Sequence, residues 1–212
     1  MNSLTTEKRA SLFAQIGNHT GSFDEAMRNV EGITDPHDRT HFVRGFLESD
    51  QTEMETTALR LDDILSFLDP SQQPKLDSAL QSFVARLTQF DPVFASNWVG
   101  SLNPPVVENA RDQIAEIWVE ADPPSASEWM STVESSEFSD ATISVLVRNI
   151  VNDPIGKISW TESISDHNLR YKLQRSALER SYLRNPEQFD QILSHISDPA
   201  ARERLKVDVT AP

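Results

Sequence analysis

The sequence predicts an all-α fold: an α-solenoid of about six helical hairpins with an extra N-terminal helix. Three observations point there. An Asp-Pro or Asn-Pro step recurs at Asp91-Pro92, Asp122-Pro123, Asp153-Pro154 and Asn185-Pro186, at intervals of 31, 31 and 32 residues. Apolar residues hold fixed offsets from each step. No segment alternates apolar and polar residues for long enough to suggest a strand.

The offsets define the unit. Seven residues after each Asp or Asn stand Trp98, Trp129, Trp160 and Ile192, and four further on Leu102, Val133, Ile164 and Ile196. Twelve before each Asp stand Ala79, Ala110 and Ala141. Eight before stand Phe83, Ile114 and Val145, and four before Leu87, Trp118 and Asn149, the last breaking the apolar pattern. Each unit therefore reads as two helices. The first begins at the Asp-Pro, because Asp caps a helix N-terminus and Pro suits the first helical position, where no N–H is needed. A short polar link follows: Asn103-Pro104-Pro105, Ser135-Ser136 or Ser165-Asp166. The second helix ends before the next Asp-Pro, since a residue preceding proline disfavours helical geometry.

In chain order, residues 4–16 predict a lone helix, set off by Gly17-Asn18-His19-Thr20-Gly21. Helix pairs follow at 23–33/36–49, 53–68/74–90, 92–102/105–121, 123–133/137–152, 155–165/167–184 and 186–196/199–207. Ile33-Thr34-Asp35-Pro36, Leu68-Asp69-Pro70 and Ile196-Ser197-Asp198-Pro199 read as links inside a hairpin rather than between hairpins. One helical-repeat domain is expected over 1–212: an N-terminal helix and linker (1–22), the hairpins (23–207) and a tail (208–212). A single hairpin cannot cover its own apolar stripe, so stacking on neighbours has to complete the core.

Composition narrows the function. With 19 Lys+Arg against 33 Asp+Glu, the net charge is −14, which argues against nucleic-acid binding, since a basic face is what engages phosphate backbones. The absence of Cys excludes a disulfide framework, a thiol nucleophile and thiolate metal ligands. No apolar run approaches the ~18 residues of a membrane span, and the first twenty residues carry no signal-peptide core. A cytoplasmic protein is expected, or a periplasmic or exported one if a leader was removed ahead of Met1.

Candidate chemistry is sparse. His37 and His41, at i and i+4 in His37-Asp38-Arg39-Thr40-His41, could share a helix face and ligate zinc, though Asp38 stands where the metalloprotease pattern has Glu. No third ligand is signalled, and polar surface residues are the simpler reading. No other metal and no cofactor is expected. Trp98, Trp129 and Trp160 recur at one repeat position and so read as packing residues rather than ligand-stacking platforms. Paired acids such as Asp62/Asp63 and Glu116/Glu120 follow from acid abundance alone. Neither a Gly-x-Ser-x-Gly elbow nor a phosphate-binding Gly-rich loop occurs. Asn18-His19-Thr20 is a glycosylation sequon, meaningful only on a eukaryotic secretory route. One basic cluster stands out: Arg170, Lys172, Arg175, Arg180 and Arg184 on the fifth second-helix, then Arg202, Arg204 and Lys206. Pairing with acids of adjacent helices is one role for it. Docking an acidic partner through Arg175, Arg180 and Arg184 is the other.

The helical hairpins over residues 23–207 resemble the tetratricopeptide, HEAT and related repeat families, and are similar to Asp-Pro/Trp-punctuated repeats of uncharacterised bacterial proteins. The tetratricopeptide Trp-x2-Leu-Gly-x2-Tyr signature and the ankyrin Thr-Pro-Leu-His are both missing. The resemblance implies a binding scaffold and no catalytic residue. A non-catalytic protein- or peptide-binding scaffold is thus the expected function. A metal-dependent hydrolase using His37/His41 and a structural segment of an envelope or secretion assembly are the alternatives.

Overall fold

The computed structural model describes residues 5–101 and 110–211, and every regular element among them is helical. The chain divides into two compact units, Met1–Ile114 and Ala115–Pro212. The first holds α1 (Thr6–Asn18), α2 (Phe23–Gly32), α3 (Pro36–Glu48), α4 (Met54–Leu59), α5 (Leu61–Leu65), a 3-10 segment (Pro70–Leu76), α6 (Asp77–Phe90), α7 (Pro92–Gly100) and the start of α8 (Ala110–Ala121). The second holds the rest of α8, then α9 (Pro123–Ser131), α10 (Asp140–Asn149), α11 (Pro154–Thr161), α12 (His167–Arg184), α13 (Phe189–Leu193) and α14 (Pro199–Thr210). Leu102 and the link Asn103-Pro104-Pro105 lie outside the described residues. The helix expected over 53–68 is divided at Arg60, whose φ of −118° and ψ of 19° interrupt the helical path. The one expected from 74 enters through the 3-10 segment, which contains Pro74.

Capping chemistry explains the regular boundaries, and it separates two kinds of Asp-Pro step. At Asp91, Asp122 and Asp153 the backbone is extended, with φ of −146°, −148° and −123°, and the carboxylate accepts from the amide three residues on: Phe94 (2.8 Å), Ser125 (3.3 Å) and Gly156 (2.7 Å). At Asp35, Asp69 and Asp198 φ is −82°, −63° and −78°, and the carboxylate reaches the amide two residues on: His37 (2.8 Å), Ser71 (2.8 Å) and Ala200 (2.9 Å). Both geometries satisfy amides that the first helical turn leaves open. The division matches the sequence distinction between steps that join hairpins and steps inside them. Two of the inner links share a further device, Ile-x-Asp-x3-Arg. Arg39 donates through Nε to the Ile33 carbonyl, and Arg170 donates likewise to Ile164 at 2.8 Å. Each arginine thereby satisfies a carbonyl in the link that precedes its own helix.

In the first unit α1 lies against α3, and glycine sets how closely. A Cβ on Gly45 would collide with the Ala14 carbonyl, and one on Gly17 with the Phe42 carbonyl. Gly17, expected to end the first helix, is instead inside it and buried. Around this contact Phe23, Phe42, Phe46 and Phe83 are fully buried, with Phe23 edge-on to Phe46 at 6.3 Å. Arg86 covers the C-terminal end of α3, donating to the carbonyls of Leu47, Glu48 and Ser49.

The Trp column is only partly core. Trp98 is 5% exposed, meets Phe83 edge-on and donates its indole N–H to the Ala58 carbonyl at 2.8 Å. Trp129 and Trp160 are half-buried. Trp129 stacks on Trp118 with centroids 5.6 Å apart, and Trp160 donates to Ser127 Oγ at 2.9 Å. The fully inward positions lie at offsets of four and eight from the Asp: Ala95 and Val99, Ala126 and Met130, Lys157 and Thr161. In α10 the buried stripe is shifted by one residue. Ala141 is exposed, while Thr142, Ile143, Leu146 and Val147 face inward. That shift explains why Asn149 can stand where the other units have Leu87 and Trp118.

Candidate functional site

Offset four carries Ala95 in α7, Ala126 in α9, Lys157 in α11 and Phe189 at the head of α13. The two alanines are 0% exposed and Phe189 is 3% exposed, so this is a core position. A lysine there costs the desolvation of an ammonium unless something charged or polar meets it. Lys157 is 9% exposed, and no hydrogen-bond or ion-pair partner meets it among the described residues. Its pKa is pushed below the ordinary lysine value, first by burial and then by the neighbouring charges of Arg180 and Arg184.

Lys157 lines a cleft of about 240 Å³ together with Arg148 from the last turn of α10, and Arg180 and Arg184 from the C-terminal half of α12. Ala177 and Ile192 supply apolar wall, part of the cluster in which Ile158, Leu178 and Phe189 also sit. The three arginines are exposed, and they too lack hydrogen bonds and ion pairs to described residues. No Asp or Glu lines the cleft. Asp153, a neighbour in sequence, is committed to capping α11 through the Gly156 amide. A side chain at Gly156 would collide with that carboxylate. Four cations thus converge in a chain of net charge −14, and among the described residues no carboxylate lines their cleft. Such an arrangement is electrostatically unfavourable when empty and is suited to holding an anion.

The structure sorts the basic cluster seen in the sequence. Arg180 and Arg184 face the cleft. Arg175 does not join them: it pairs with Glu179, one turn on, at 2.8 Å. Arg170 is bound to the Ile164 carbonyl, Lys206 pairs with Asp190 at 2.8 Å, and Arg204 lies over the Tyr171 ring at 4.3 Å. Sequence reasoning missed Lys157 and Arg148. The signal for Lys157 was present in the repeat: aligning offset four alongside offset seven sets a lysine under two alanines.

His37 and His41 both lie on α3, as the spacing predicts, in different surroundings. His37 is exposed. His41 is half-buried, and its Nδ1 is buried without a hydrogen-bond partner. Burial first, and then the charge of Arg44, lowers its pKa. Asp38 between them is buried and bound by Arg9, which also stands 3.7 Å from Asp35. Asp38 is therefore engaged rather than free to act as a base. Among the described residues, no group of three or more His, Asp or Glu side chains is placed to hold a metal ion, and no helix is long and apolar enough to cross a membrane.

Comparison with protein-family models, curated proteins and solved structures finds no match to this chain.

Proposed function

We propose that this chain is a non-catalytic protein- or peptide-binding scaffold whose hairpins stack as an α-solenoid of the tetratricopeptide/HEAT-like kind. We further propose that the cleft at Lys157, Arg180 and Arg184 receives an acidic group of the partner. One observation carries the reading: among the described residues, four cations without an ion-pair partner share one cleft that no carboxylate lines. Arginine recognises carboxylates through paired, directional N–H bonds, and a partly desolvated charge gains more from such a bond than one in open water. The regular Asp capping and the repeated buried offsets support the stacked-hairpin reading.

The docking claim is tested with a Glu-rich peptide as probe. Its affinity should fall steadily with added salt. It should fall by roughly tenfold more when Arg180 and Arg184 are both changed to Ala, with circular dichroism unchanged. Binding indifferent to both manipulations removes the electrostatic reading. The stacking claim is tested by small-angle scattering: a radius of gyration well above the ~17 Å of a compact 212-residue domain supports it, and the compact value counts against it.

A further inference from the structure

We infer that the Lys157 cleft is a phosphate site, and that its occupant is a phosphorylated residue on a partner peptide. This rests on the scaffold reading above and narrows it.

Charge is the first ground. A carboxylate brings one negative charge and two oxygens. The cleft offers an ammonium with three unused donors and three guanidinium groups, none of them paired. A phosphate monoester carries about −1.5 to −2 charges at neutral pH and three strong acceptor oxygens, a closer match in both charge and donor number. Position is the second ground. Lys157 replaces the buried alanine of two sister helices and lines the cleft, so a ligand entering the cleft comes within reach of its unpartnered ammonium.

The surroundings favour a peptide as carrier. The segment Ile150–Asn152 forms one wall of the cationic cleft and also one wall of a second cleft, of about 610 Å³, lined further by Pro123, Pro124, Glu128 and Asp153. Val151 on that shared wall is 66% exposed. A peptide with its phosphate against Lys157 can lay its neighbouring residues along this apolar strip. A polyanion or an anionic bilayer would instead meet Glu128 and Asp153, and beyond them a surface of net charge −14.

The test compares four probes by titration calorimetry: a phosphoserine peptide with apolar flanks, the same peptide with Glu in place of phosphoserine, inorganic phosphate, and vesicles containing phosphatidic acid. The phosphopeptide should bind about tenfold or more tightly than the Glu peptide, and inorganic phosphate should compete with it. Lys157→Ala installs the residue that α7 and α9 carry at this offset, so the variant should fold. It should reduce the phosphopeptide to the affinity of the Glu peptide, and Lys157→Met, which keeps the stem, should do the same.

A pH series supplies an independent signature. The charged groups facing the site are Lys157 on α11, Arg180 and Arg184 on α12, and Arg148 on α10; no His, Asp or Glu lines it. Affinity lost as the pH falls through ~6 therefore reports the second ionisation of the phosphate itself, whereas a carboxylate ligand would hold to about pH 4.

Equal affinity for the phosphopeptide and the Glu peptide overturns the phosphate assignment. If that shared binding still depends on Arg180 and Arg184, the scaffold reading survives. Unchanged phosphopeptide binding in Lys157→Ala overturns the site. Vesicles that outcompete the phosphopeptide overturn the peptide carrier.

Discussion

The α1/α3 contact and the α11/α12 contact bring pairs of helices together in opposite ways. Between α1 and α3, Gly17 and Gly45 remove side chains so that one backbone lies against the other, and the surrounding phenylalanines close the core. Between α11 and α12, a long charged side chain occupies a position that is alanine in two equivalent helices, and a cleft opens beside it. The first arrangement maximises packing and leaves nothing for a ligand to complete. The second places a charged side chain at a position that is alanine in two helices of like spacing and leaves charge there unbalanced among the described residues.

Changing each contact toward the other should separate them. The larger effect is expected from Gly45→Ala. Its added methyl meets backbone rather than a movable side chain, so α1 and α3 must shift apart, at a cost of about 3 kcal/mol or more. Thermal or denaturant unfolding measures this. A loss below about 0.5 kcal/mol, the range of ordinary surface changes, would mean that the two helices are not held by that contact.

The smaller effect has the opposite sign. Lys157→Ala removes an unpartnered, partly desolvated ammonium near two arginines and should stabilise the ligand-free protein by about 1 kcal/mol. Its pH dependence has a definite direction. Because the folded state holds the Lys157 pKa below 10.5, the unfolded chain binds that proton more readily, and wild-type stability rises as the pH climbs through the window just under the ordinary value. The advantage of Lys157→Ala should therefore shrink as the pH increases. A variant less stable than wild type at neutral pH would show that the lysine stem contributes more by packing than its charge costs.

Most helix boundaries were legible from the sequence because they are set locally. The Asp residue, the Pro after it and an amide two or three positions on are enough to start a helix, and the distinction between the two kinds of Asp-Pro step survived as two capping geometries. The direction each helix faces was less legible. Trp129 and Trp160 looked like core by recurrence and are half-buried, while the fully inward positions are at offsets four and eight. Ala141 looked like core and is exposed, because α10 presents a stripe one residue later.

Composition and spacing by themselves determined an all-α chain, the places where its helices start, and an acidic protein with its positive charge gathered near one end. Only the tertiary structure decided which of those charges are free. Arg170, Arg175 and Lys206 are taken up by a carbonyl and two carboxylates, while Arg180 and Arg184 are left beside Lys157 and Arg148. The reason is physical. Capping depends on atoms a few bonds apart, whereas burial and pairing depend on which distant segment arrives opposite a side chain, and a 31-residue period carries no record of that.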